Sequence, residues 1–227
     1  MMLDGSRRWL RRGWKAYSSN ALPLAAASLV VSFCGWCFFA LSYAVKSPLV
    51  NLAGIFLVVL VLSFGRFWMS LKAVRWVRVG VADLFEPFGN IKRYAATLLT
   101  GAAILLGAIA GFALLVIPAL WWILRSTLAV FALVDEGFRP TDALKSSIRA
   151  TRGHALELLL LWALTIFLNL LGQPFRRGIS LVAGGNAGAD AHQHLIYGVV
   201  PYLALILVIA PWLVCSFAAA WDETGTP

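Results

Sequence analysis

Residues 95–134 read AATLLTGAAILLGAIAGFALLVIPALWWILRSTLAVFALV, forty consecutive positions in which Arg125 is the only charge. An α-helix rises about 1.5 Å per residue, so some 20 apolar residues cross a bilayer and forty must fold back on themselves. Pro118 is the natural break, because it lacks an N–H and fits the first turn of a new helix. Two crossings follow, at about 95–117 and 118–134. Ala103, Gly107 and Gly111 recur at four-residue spacing in the first of them. Such a stripe permits close helix approach, within the protein or with a partner, and Pro118 starts the helix facing it.

Outward from this hairpin the pattern repeats. Apolar runs mark further spans at about 22–45, 49–69, 155–172 and 196–221. Across 227 residues, 61% are hydrophobic and only 13% are charged, about half the charge of an average soluble domain. Mean hydropathy is +0.83. These values exclude a soluble enzyme, a disordered chain and a disulfide-built scaffold. Three cysteines are too few for the last. The expected fold is all-α, a single integral membrane domain over 1–227 of six spans, with residues 1–20 as an interfacial arm.

Orientation follows from Lys and Arg on alternate loops. The arm carries Arg7, Arg8, Arg11, Arg12 and Lys15, the second loop Lys72, Arg75, Arg78, Lys92 and Arg93, and the fourth Arg139, Lys145, Arg149 and Arg152. Only Lys46, Arg176 and Arg177 fall on the other side. The 14:3 ratio puts both termini in the cytoplasm. The net charge of +9 then points to anionic lipid and not to nucleic acid.

Ser6-Arg7-Arg8-Trp9-Leu10-Arg11 resembles a twin-arginine export signal, but no small-residue cleavage site follows. At 100° per residue, Arg8, Arg11, Arg12 and Lys15 share one side of a helix. Trp9, Gly13, Trp14 and Tyr17 share the other, as in a helix lying in the inner interface. From Trp68 to Val79 the second span is expected to continue as a basic helix carrying Lys72, Arg75 and Arg78, ended by Gly80. A short amphipathic helix in the fourth loop, N-capped by Thr141, presents Lys145, Arg149 and Arg152 together.

Several phrases together resemble a known group. They are Gly13-Trp14 with Asn20, Leu84-Phe85-Glu86-Pro87-Phe88, Val116-Ile117-Pro118-Ala119-Leu120-Trp121, Leu133-Val134-Asp135-Glu136-Gly137, Asp142-Ala143-Leu144-Lys145-Ser146-Ser147 and Thr151-Arg152-Gly153. In these the chain resembles bacterial six-span integral membrane families related to the membrane domain of glycerophosphodiester phosphodiesterases. The resemblance implies an architecture and a bacterial setting. It implies no phosphodiesterase activity.

Chemistry-bearing candidates are few. Cys34-Gly35-Trp36-Cys37 has thiol–disulfide spacing, but a thiolate in mid-span is desolvated, so these are expected to be packing residues. Asp190, His192 and His194 could face one way on an extended segment, yet no fourth metal ligand accompanies them. His154 has no second histidine at matching depth with which to hold a haem. Arg125, seven residues inside its span, is the most expensive group to place, and Glu157 and Asn169 in the fifth span are its expected bundle partners. Arg66, near a span end, is expected to snorkel. No phosphate loop, paired catalytic carboxylate or nucleophile triad occurs. The sequence points to a non-enzymatic multipass protein of a bacterial cytoplasmic membrane without a cofactor. It would serve as an accessory, assembly or lipid-organising component that meets anionic headgroups and another membrane protein or complex. The alternative is a small transporter or permease for an anionic or amphipathic substrate, supported by Arg125, Pro201 and Pro211.

Overall fold

Buried apolar runs have no water to satisfy their backbone, and here they close their hydrogen bonds within helices. The computed structural model describes residues 4–114, 116–135, 139–183 and 203–225, with backbone alone for 116, 117, 169 and 171–183. Among the described residues there is no strand. The helices in chain order are α1 (Asp4–Ser19), α2 (Ala21–Ala44), α3 (Pro48–Val74), α4 (Ile91–Leu114), α5 (Val116–Ser126), α6 (Ala129–Asp135), α7 (Pro140–Ala150), α8 (Ala155–Ala183) and α9 (Leu205–Thr224). A 3-10 segment, Val81–Gly89, leads into α4.

Among the described residues five stretches are long and apolar enough to cross a membrane: α2, α3, α4, Pro118–Asp135 and α9. The pair Pro140–Ala150 and Ala155–Leu168, bent by 105°, makes a sixth if read as one span. The fifth expected crossing, 155–172, therefore differs from a plain span: α8 begins at Ala155 but runs on to Ala183. Only part of the last expected crossing, from residue 203 on, lies within the described residues.

The hairpin at Pro118 has the expected small-residue contact. A Cβ at Gly111 would lie 2.6 Å from Ala119 Cα, and one at Gly107 would lie 2.3 Å from Trp122 Nε1. Trp122 Nε1 donates to the Ile104 carbonyl at 3.0 Å, and half-buried Ala103 continues the stripe. The stripe is filled by the chain's own helix α5.

Three local expectations are corrected. Helix α3 stops at Val74, not Val79, and Trp76 takes a left-handed φ of 59°. Arg75, at the C-cap, turns its guanidinium onto carboxylates of other helices, and Arg78 lies beyond the helix. Thr141 does not cap α7. The cap position is Arg139 in an extended conformation, and Pro140 starts the helix with its preset φ. The face α7 buries consists of the small residues Ala143, Ser146, Ser147 and Ala150, while Lys145 and Arg149 face outward with Arg152 just beyond the helix. Lastly, α1 is not a helix resting on lipid alone. Trp9 reaches Glu223, Gly13 meets Ser216 and Tyr17 Oη donates to the Leu207 carbonyl, an order that sets α1 antiparallel along α9.

Candidate functional site

Two features stand out in the bundle, a charged cluster and an apolar cavity. The first closes the end of the molecule where α3, α6 and α9 finish. Arg75 donates from Nη1 and Nη2 to Asp135 at 2.6 and 2.8 Å, and from Nε to Asp222 at 2.9 Å. Arg12 pairs with the other oxygen of Asp222, and Trp221 Nε1 donates to Asp135 at 3.0 Å. Arg8 pairs with Glu223 at 3.1 Å. The hydrogen bonds to Asp135 above all, and those to Asp222, outweigh burial and hold the Arg75 pKa above its ordinary value. Nearby, Lys72 pairs with Asp83 at 2.8 Å and Arg93 pairs with Glu86. Burial opposes ionisation of Asp83, but the Gly80 N–H and Lys72 overcome it and leave its pKa lowered.

The second feature is a cavity of about 700 Å³ walled by α3, α4, α5, α6, α8 and α9. Its surface is mainly apolar, with Phe64, Phe67, Leu105, Trp162 and Phe217 among the larger side chains. Half-exposed Leu105 forms part of the rim, so the cavity opens on the outer face of the bundle. Both π-helical turns of the described chain end on it. Ile55–Val59 leads into Leu60 and Leu205–Ile209 into Ala210, and both of those residues line the cavity. Thr127, at the break between α5 and α6, also lies in its wall. Irregular backbone at membrane depth is tolerated where it borders a cavity, and π turns recur at functional sites.

Among the described residues Arg66 is the one charged side chain of this lining. Its Nε is buried without a hydrogen-bond partner, and the guanidinium lies over Phe67 at 5.8 Å. The expectation that Arg66 snorkels is overturned. Because α3 runs on to Val74, Arg66 sits eight residues, roughly 12 Å, inside its charged end. A helical side chain leans toward the helix N-terminus, which here is away from that end.

The other sequence candidates lie as follows. Arg125 does not meet Glu157: its Nη1 donates to the Ile148 carbonyl at 3.1 Å, and its guanidinium lies 5.1 Å from the Trp121 ring. Ser147 Oγ donates to the Arg125 carbonyl at 2.6 Å. Glu157 instead pairs with His154 at 2.8 Å. Asn169 lies in α8, and its side chain is outside the described set. Of the basic residues expected on lipid, Arg8, Arg12, Lys72 and Arg75 engage carboxylates, and Lys15 lies 5.2 Å over the Trp76 ring. Arg11, Arg78, Lys145, Arg149 and Arg152 are exposed. Cys34 and Cys37 are free thiols. Asp190, His192 and His194 fall outside the described residues, among which no group of three potential metal ligands occurs.

The carboxylates of the tail, Asp222 and Glu223, were missed by sequence reasoning. Two acids directly after the last apolar run, facing a basic arm on the same side, were the available signal.

No protein-family model matches the chain, and neither a curated protein nor a solved structure matches it. The helices and their apolar surfaces define an all-helical, membrane-embedded protein with several crossings.

Proposed function

We propose that the chain is a non-enzymatic, multipass component of a bacterial cytoplasmic membrane, with both termini inside. It organises anionic lipid and serves a membrane complex as an accessory or assembly element. The carrying observation is how charge is distributed at the end bearing α1. Asp83, Glu86, Asp135, Asp222 and Glu223 are all drawn into ion pairs within the chain. The surplus of cations, including Arg11, Arg78, Lys145, Arg149 and Arg152, faces outward. Each such cation near an anionic surface contributes about 1 kcal/mol of attraction. The 14:3 loop asymmetry supports the same sidedness. A transporter for an anionic amphiphile is the second reading, favoured by the cavity at Arg66.

Sidedness is tested with single cysteines at two exposed positions, Val45→Cys and Lys145→Cys, in a background without native cysteines. An impermeant reagent on intact cells should label the first and spare the second. The opposite labelling inverts the topology. The lipid role is tested by changing Lys145, Arg149 and Arg152 together to Gln. Retention of anionic lipid in mild detergent should fall more than after changing Arg176 and Arg177. Equal losses remove the reason to assign headgroup binding to α7.

A further inference from the structure

We propose that the cavity at Arg66 binds a single amphiphile with an acyl chain and a singly charged anionic head, the head accepting hydrogen bonds from the Arg66 guanidinium. This goes beyond the lipid-surface reading and does not depend on it, since it concerns a discrete internal site.

The lining sets the chemistry. Three hydroxyls border the cavity, and each donates to a carbonyl of its own helix. Ser126 Oγ donates to Trp122 O at 2.9 Å, Thr127 Oγ1 to Ile123 O at 2.7 Å and Thr165 Oγ1 to Leu161 O at 2.8 Å. The indole N–H of Trp162 is spent on Thr127 Oγ1 at 2.7 Å. The guanidinium is thus the donor left for an occupant, and a donor of that kind selects an acceptor, best an anion. Among the described residues none of the lining side chains is acidic, so one cation faces the space and one negative charge balances it. An uncompensated charge at membrane depth is costly, and a bound counter-charge relieves that cost. The rest of the wall is aliphatic and aromatic, which selects a hydrocarbon body, and the volume falls in the range of small-ligand sites. Lateral opening beside Leu105 admits a chain directly from the bilayer.

Carboxylate and phosphodiester heads share this chemistry, so a free fatty acid and a diacyl phospholipid are the two sources to separate. The probe is a dibrominated octadecanoate, whose bromines quench tryptophan. It is titrated into purified full-length protein in nonionic detergent, against the alcohol with the same brominated chain. The site signal is the quenching lost in a Trp162→Phe control. We expect the carboxylate to bind roughly tenfold more tightly than the alcohol, the factor one charge-assisted hydrogen bond supplies. Arg66→Met should abolish that preference and Arg66→Lys should keep part of it. Ala108→Phe, which fills the cavity from α4, should weaken both ligands. A dibrominated phosphatidylglycerol that quenches more strongly than the free acid assigns the site to a phospholipid, and the reverse assigns it to a fatty acid. Equal binding of acid and alcohol by the unaltered protein overturns the proposal, whatever the variants do. So does an Arg66→Met variant that retains the preference.

Discussion

Arg66 and Arg75 lie nine residues apart, one within α3 and one at its C-cap, and they have opposite surroundings. Arg75 makes three hydrogen bonds to two carboxylates brought from α6 and α9. Arg66 has a buried Nε with no partner and an apolar cavity in front of it. A paired charge in a partly dry setting is a structural tie: without Arg75, Asp135 keeps only the Trp221 N–H, while Asp222 keeps Arg12. Arg66 has the face of Phe67 beside it, a contact that offsets only part of the cost of a charge at membrane depth. The fold accommodates Arg66 beside an apolar cavity, the arrangement on which the proposed anionic amphiphile rests.

The comparison breaks most readily on stability. Arg75→Met leaves Asp135 and Asp222 without their shared cation, at side-chain exposures of 20% and 15%. The loss should be about 3 kcal/mol, the low end for a broken buried pair because Arg75 itself is a third exposed. Arg66→Met replaces an unpaired charge with an apolar chain of similar length. It should change stability by less than about 1 kcal/mol, or raise it. Thermal unfolding of both variants in one detergent decides the matter. An Arg66→Met variant as unstable as Arg75→Met would show that the two arginines do the same job.

A second substitution separates packing from binding beside Arg66. Gly65 faces the 3-10 segment, and a Cβ there would lie 1.9 Å from the Leu84 carbonyl oxygen. Backbone cannot yield as a flexible side chain does, so Gly65→Ala should cost about 1–3 kcal/mol as an overpacked contact. It should also make residues 81–89 more sensitive to protease. Cavity binding of a brominated carboxylate should be unchanged, because Gly65 does not line the cavity. Loss of binding together with loss of packing would mean that the two faces of α3 are coupled.

The spans were legible because hydropathy is local: α2 and α4, and a fold-back close to Pro118, depend on residues adjacent in sequence, although α5 already begins at Val116. The roles of the two intramembrane arginines were not. Counting inward from Pro118 makes Arg125 the anomaly, yet α7 brings the Ile148 carbonyl to it from 23 positions away. Counting from a bilayer edge near Met69 makes Arg66 a snorkelling residue, yet a helical side chain there leans toward the helix N-terminus, away from that edge. Likewise, the basic face of α1 was visible, but its pairing of Arg12 with Asp222 spans 210 positions. Long-range pairing depends on where helices end and lean, which a periodicity in one chain does not encode.

Acid offers the smallest and most selective way to sharpen the comparison. Asp83 is held by Lys72 and by the Gly80 N–H, and its folded-state pKa lies below that of the unfolded chain. A lowered carboxylate pKa contributes stability that is fully present above the unfolded value, about 3.9, and is lost as pH falls through the folded one. The pair is three-quarters buried, and the stability at stake is below about 1 kcal/mol. Lowering the pH from 6 toward 3 should therefore loosen the 3-10 segment before the helices melt, read as faster proteolysis within residues 81–89. Asp83→Asn should be looser at pH 6 and respond less to acid. Cavity occupancy by a neutral-headed brominated chain carries no such titration through Asp83, since Asp83 does not line the cavity. If Asp83→Asn keeps the full acid response, the loosening originates elsewhere in the charged end, and the Arg75 carboxylates become the groups to titrate next.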